Sequence, residues 1–182
     1  MEKSGAKTQN LLTKGSLNHL THQIKKKPDE YFKEIEKCIL FSKNKGITTN
    51  VYLEDWSNGM RKSEKYVFDY LDFLSTQPIK RILLPDTLGV LSPYETFSYF
   101  SKIIKKFPNN HFDFHAHNDY DLSVSNVIEA LRAGCHGLHL TINGMGERAG
   151  NAPTASVAAV IKDFLPEIQI NLDEASLYKV SK

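Results

Sequence analysis

One alternation constrains this chain more than any single motif. Five times over, a short run with strand period is followed by a stretch with helical apolar spacing. Residues 8–14 read as the first strand, ended by Gly15-Ser16. After a polar stretch with His19 and His22, Pro28-Asp29 opens a helix whose stripe is Tyr31, Phe32, Ile35 and Ile39, and Gly46 stops it. Residues 47–55 form the next strand, with Val51 and Leu53 on one face and Asn50, Tyr52 and Glu54 on the other. Ser63 is expected to cap a helix that buries Val67, Tyr70, Leu71 and Leu74. Residues 81–86 are almost continuously apolar, as a strand covered on both faces should be. Ser92-Pro93-Tyr94-Glu95 is a helix start with Ser as N-cap, Pro at N1 and Glu at N3. Phe97, Phe100, Ile103, Ile104 and Phe107 then carry its buried face. The fourth unit is a strand around residues 112–117 and a helix at 123–133 ended by Gly134. The fifth is a strand at 137–142 and a helix at 153–164, and about 173–182 reads as a short further helix.

Alternation of this kind means a parallel sheet with helices packed outside it. Polar side chains gather at the C-terminal strand ends: Tyr52 and Glu54, Asp86 and Thr87, His115 and His117, and Asn143. That is the active-site face of a (β/α)8 barrel. It is equally the ligand side of an open doubly wound sheet. The period alone leaves both architectures open.

The fourth strand is the chemically dense one. In HFDFHAHND, Phe112, Phe114 and Ala116 share one face, and Asp113, His115 and His117 the other. Two imidazoles at i and i+2 converge as divalent-metal ligands do; alone, such a pair is also compatible with two hydrogen-bonded histidines. With oxygen ligands they would make a mixed N/O site that leaves positions open for a Lewis-acid ion acting on a carbonyl. Glu54, Asp86, Asp119, Thr87, Tyr52 and Asn151 are the polar groups that follow strand ends. Asp86 also reads as a turn-capping carboxylate, and Tyr52 as a core tyrosine with a satisfied hydroxyl. Glu147-Arg148 is either a surface pair or an ion pair that shapes the Gly-rich loop at 143–151. His19, His22, His136 and His139 have no partner spacing and are not expected to be ligands.

A formal charge of +2 over 182 residues gives no bulk field for nucleic acid or anionic membrane. Cys38 and Cys135, the two cysteines, lack metal spacing and read as reduced, buried thiols. No run is long and apolar enough to span a bilayer, and residues 1–5 have no signal-like apolar core, so a cytoplasmic protein is expected.

LLPDTLG, FHAHNDYDLSVSN and NGMGERAGN, in order and with matching spacing, resemble the citramalate, 2-isopropylmalate and homocitrate synthases. These are acyl-CoA-dependent condensing enzymes related to the HMG-CoA lyases. NLLTKGSLNHL and NVYLEDWSNGM are most similar to the citramalate synthase branch. The resemblance implies an α/β TIM barrel and a divalent metal (Mg, Mn or Zn) on His115, His117 and Asn151. It implies that Thr87 contacts the 2-oxo acid carboxylate, that Leu12 and Tyr52 line the oxo-acid pocket, and that Glu54 is catalytic. The implied reaction is a Claisen condensation of acetyl-CoA with a 2-oxo acid in branched-chain amino-acid biosynthesis. Bulky Leu12 and Tyr52 favour pyruvate, with 2-oxoisovalerate next, and a homodimer is expected of the full-length protein.

The departures matter as much. No D-[ST]-x-R-D-G-type motif, source of the family's third metal ligand and a substrate-binding Arg, is present. Counted against the family, the strands run from about the fourth to the eighth, and the C-terminal part that supplies a catalytic His is absent. The expected layout is a partial catalytic barrel over 1–165 and the start of a linker over 166–182. An incomplete barrel has two sheet edges, so an open sheet prone to pair with another chain and a weak metal site are expected. A lyase of the wider group carries a cysteine in the Gly-rich loop, and this loop has none. A non-catalytic relic or scaffold is the other alternative.

Overall fold

A computed structural model of the chain describes residues 5–182. Residues 1–4, which include most of the stretch read above as lacking a signal core, lie outside the described residues. Five strands, β1 (Thr8–Lys14), β2 (Thr48–Glu54), β3 (Arg81–Asp86), β4 (Phe112–Ala116) and β5 (Gly137–His139), form one sheet in sequence order. Every neighbouring pair is parallel. The helices are α1 (Leu17–His19, continued by a π turn over Leu20–Ile24), α2 (Pro28–Asn44), α3 (Trp56–Lys62), α4 (Glu64–Ser75), α5 (Pro93–Lys106), α6 (Ser123–Arg132), α7 (Thr154–Phe164) and α8 (Glu174–Val180).

Apart from β3, which is buried on both faces, the strands have an apolar and a polar face, and this sets the layers. Val51, Leu53, Ile82, Leu84, Phe112, Phe114 and Ala116 are buried and join the helix stripes in one core. At about 25 cal/mol per Å² of apolar surface removed from water, this layer is the main source of stability. The other face carries Asn10, Leu12 and Lys14 of β1, Asn50, Tyr52 and Glu54 of β2, Arg81 of β3, Asp113 and His115 of β4, and His139 of β5, as the register requires. That face is concave. Tyr52 Oη lies 3.0 Å from His139 Nδ1, although β3 and β4 stand between their strands. Three strand steps span about 14 Å along a flat sheet, so the sheet must curl as a barrel wall does. Among the described residues β1 and β5 do not pair, and the wall is open.

Several expectations are refined. The second expected helix, α4, is preceded by α3, which the sequence reading missed, and Ser63 stands at the junction, closing α3 and occupying the N-cap position of α4 without a side-chain cap bond. Its hydroxyl is spent on Gly59 O, at 3.2 Å. The Ser92 capping box is present with both of its bonds. Phe97 stays exposed at the margin of the α5 stripe. The fifth strand is three residues long, because the chain turns in at Thr141 to bridge Pro153 and then makes a 3-10 turn over Ile142–Gly144. Cys135 is buried as expected, but Cys38, one position off the α2 stripe, is exposed.

Candidate active site

At the C-terminal end of β4 the strand period turns His115 inward, and His117, two residues on in a backbone bridge, lies beside it. Their rings meet edge to face, centroids 5.0 Å apart. Asn151, thirty-four positions on, joins them through a backbone bridge to His117. His115 Nδ1, His117 Nδ1 and Asn151 Oδ1 are buried and have no hydrogen-bond partner. Burial, with the nearby His117 and His139, pushes His115 down to about 4, and burial with Arg148 nearby lowers His117. Both rings are therefore neutral at pH 7, the state a metal ligand needs. Among the described residues no group of three His, Cys, Asp or Glu side chains is placed to hold a metal. The donor set is thus two imidazoles and an amide. It fits a divalent ion in ligand type, and it offers no negative charge.

The loop that carries Asn151 is held by its arginine. Arg148 grips Asp119 with two bonds, of 2.7 and 2.8 Å, and gives a third to Thr87 O at 2.9 Å. Of the two readings of Glu147-Arg148, the surface pair describes Glu147, which is exposed and 3.7 Å from the guanidinium, whereas the ion pair that shapes the loop joins Arg148 to Asp119. Gly146 lies so close to the Asn151 amide that a Cβ there would collide with it.

Leu12 and Tyr52 are register partners on β1 and β2, and Leu12 is 63% exposed on the concave face. Tyr52 is not a tyrosine satisfied in the core: its hydroxyl meets His139. His139, excluded as a ligand, belongs to this site. It stacks edge-on to His115 at 5.8 Å, and its Nε2 lies 3.4 Å from Asp113 Oδ2. Burial raises the Asp113 carboxyl, but His139 and Arg81 bonds, with His111 nearby, hold it at about 2. An ionised Asp113 accepts a hydrogen bond from Nε2–H, so Nδ1 is the ring nitrogen that accepts from the Tyr52 hydroxyl. The missed signal was the period of the fifth strand, where Gly137, His139 and Thr141 share a face.

Glu54 stands at the same end of the sheet, ion-paired with Lys14, its partner in register. Thr87 follows the buried Asp86, and its Oγ1 accepts the Asp55 amide at 2.8 Å. Asp86 is the turn residue its alternative reading suggested: its carboxylate takes the Val90 and Leu91 amides at 3.1 and 3.0 Å. The structure thus joins Leu12, Tyr52, His115, His117 and Asn151 into one continuous surface through His139. It ties Glu54 to the β1 edge and Thr87 to the β2–α3 turn.

Comparison with known proteins gives the site a context. The family model described as HMGL-like matches residues 2–182. The chain is 35% identical over 160 residues to a homocitrate synthase of Saccharolobus islandicus, covering 86% of this chain and 33% of that protein. It is 30% identical over 164 residues to a 2-isopropylmalate synthase of Sulfolobus acidocaldarius, covering 90% of this chain and 42% of that one. It thus spans between a third and a half of these two relatives' length. A hydroxymethylglutaryl-CoA lyase from Pseudomonas aeruginosa superposes with a TM-score of 0.83 at 16% identity, over 97% of this chain and 61% of the lyase, a likeness of fold.

Proposed function

The chain belongs to the HMGL-like family, and on that premise we propose that it carries part of the active site of an acyl-CoA-dependent condensing enzyme. The reaction joins the acetyl group of acetyl-CoA to a 2-oxo acid, pyruvate being the favoured acceptor and citramalate the product. One observation carries the reading: His115, His117 and Asn151 adjoin one another with neutral rings and unpartnered donor atoms.

A divalent ion on those three residues would supply Lewis-acid polarisation of the acceptor ketone. The remaining roles fall to the chain itself. Thr87 donates its hydroxyl to the acceptor carboxylate. Leu12 and Tyr52 limit the space for its side chain, which favours a methyl over an isopropyl group. Glu54, at the rim with Lys14, is the carboxylate for proton handling on the acetyl side. Overall, a methyl proton leaves acetyl-CoA, the new carbon–carbon bond forms at the ketone carbon, and the ketone oxygen gains a proton. Water then cleaves the thioester and frees the CoA thiol. Homology to a homocitrate synthase and a 2-isopropylmalate synthase supports the condensing class.

The test is release of free thiol from acetyl-CoA with Mg²⁺ or Mn²⁺ and either pyruvate or 2-oxoisovalerate. It is run on the chain alone and on the chain mixed with a polypeptide carrying the remaining units of the family barrel. Thiol release dependent on pyruvate is the expected result. Faster release with 2-oxoisovalerate would reassign the acceptor, and no release in either mixture would overturn the reading.

A further inference from the structure

Asp55, directly after β2, is a buried, multiply held turn residue at the C-terminal end of the sheet. Its backbone is left-handed, at φ 64° and ψ 24°, a conformation that non-glycine residues seldom adopt. Its side chain is buried, and three groups from two segments hold it. Ser16 Oγ donates at 2.6 Å, Asn58 Nδ2 donates at 2.7 Å, and His19 Nε2 lies 3.5 Å away. Ser16 reaches it because two glycines let backbones touch: a Cβ on Gly15 would strike Leu53 O, and one on Gly59 would strike Gly15 O. The anchored turn aims the Asp55 N–H out of the strand direction and onto Thr87 Oγ1 at 2.8 Å. Thr87 is fixed at its other end as well, by Arg148 on its carbonyl.

That arrangement decides what Thr87 can do. A hydroxyl has one proton to give and two lone pairs. One lone pair is taken by the Asp55 amide, and among the described residues no acceptor takes the hydroxyl proton. From this we infer that Asp55 is a positioning residue: its left-handed amide holds Thr87 so that the hydroxyl proton projects toward a substrate carboxylate. The inference rests on the condensing-enzyme reading for the identity of that carboxylate, and on the contact geometry for the rest. Asp55 itself touches no substrate. The contact places it next to Thr87, the candidate for the substrate carboxylate that follows β3.

Two readouts test it on the whole chain in Mg²⁺ buffer: hydrogen exchange of the Asp55 amide by NMR, and pyruvate affinity by calorimetry. The Asp55 amide is expected to be protected in the wild type and unprotected in Thr87→Val. Asp55→Ala, which loses the anchors and resists the left-handed turn, should bind pyruvate about tenfold more weakly, the size of one charge-assisted hydrogen bond. Asp55→Asn, which tolerates that conformation and keeps an acceptor oxygen for Ser16, should recover most of the affinity, although a general loss of packing would not be rescued this way. Equal pyruvate affinity in the wild type and Asp55→Ala would overturn the inference and leave the functional reading intact. An amide equally protected in Thr87→Val would overturn the contact itself. A wild type that binds no 2-oxo acid, with its Asp55 amide protected through Thr87, would support the positioning contact and count against the condensing-enzyme reading.

Discussion

Single side chains at this site do their work through what they leave unsatisfied. His115, His117 and Asn151 each keep a buried polar atom without a partner, which is costly unless something else completes it. His117→Ala is therefore expected to weaken Mn²⁺ binding at least tenfold, about 1.4 kcal/mol or more, as read by the electron paramagnetic resonance of free Mn²⁺. His136→Ala makes the control, because His136 lies before β5 and spends its Nδ1 on the Phe112 amide. Equal loss in both variants would refute the assignment. His139 belongs at this scale too. Its one mark in the sequence is the strand period it shares with Gly137 and Thr141, yet it is the residue through which Tyr52 reaches Asp113 and His115.

At the level of elements, helix starts were legible because capping is local chemistry. Ser92 and Glu95 satisfy each other's backbone groups within four residues, and a reader of the sequence needs nothing else. What the sequence did not reveal is that Arg61 on α3 reaches Glu95 with two bonds of 2.6 Å. That pair, together with the Ser92 bonds, holds the Glu95 carboxyl at about 2, against burial. A depressed carboxylate pKa means the unfolded state binds protons first as pH falls. Its stabilisation is therefore complete above about pH 4.5 and drains away toward pH 2. Glu95→Gln should melt lower than the wild type at pH 6, with the gap in melting temperature closing between pH 4.5 and 2. A gap that stays constant with pH would show that the ion pair contributes nothing. The missed helix α3 has a related cause: seven residues between a strand and a longer helix carry too little period to stand out.

For the molecule as a whole, the polar concave face and the two sheet edges left unpaired among the described residues dominate behaviour. Strand β1 offers its outer backbone edge with Leu12 largely exposed beside it, the arrangement that invites strand pairing between chains. Self-association that rises with concentration is expected in sedimentation velocity, and Leu12→Lys should shift the distribution toward monomer. A monomer at all concentrations would mean that the edge is blocked in solution. The sequence by itself determined the five strand–helix units, the parallel sheet they imply, the capping of α5 and the convergence of His115 and His117, because each is written in spacings of two to four residues. Only the tertiary structure decided that Tyr52 meets His139, that Arg148 clamps Asp119 to Thr87, and that Asp55 holds the Thr87 hydroxyl. Those contacts join residues 29 to 87 positions apart. They exist because the sheet curls and its loops fold over one end, and no local period encodes how far a sheet will curl.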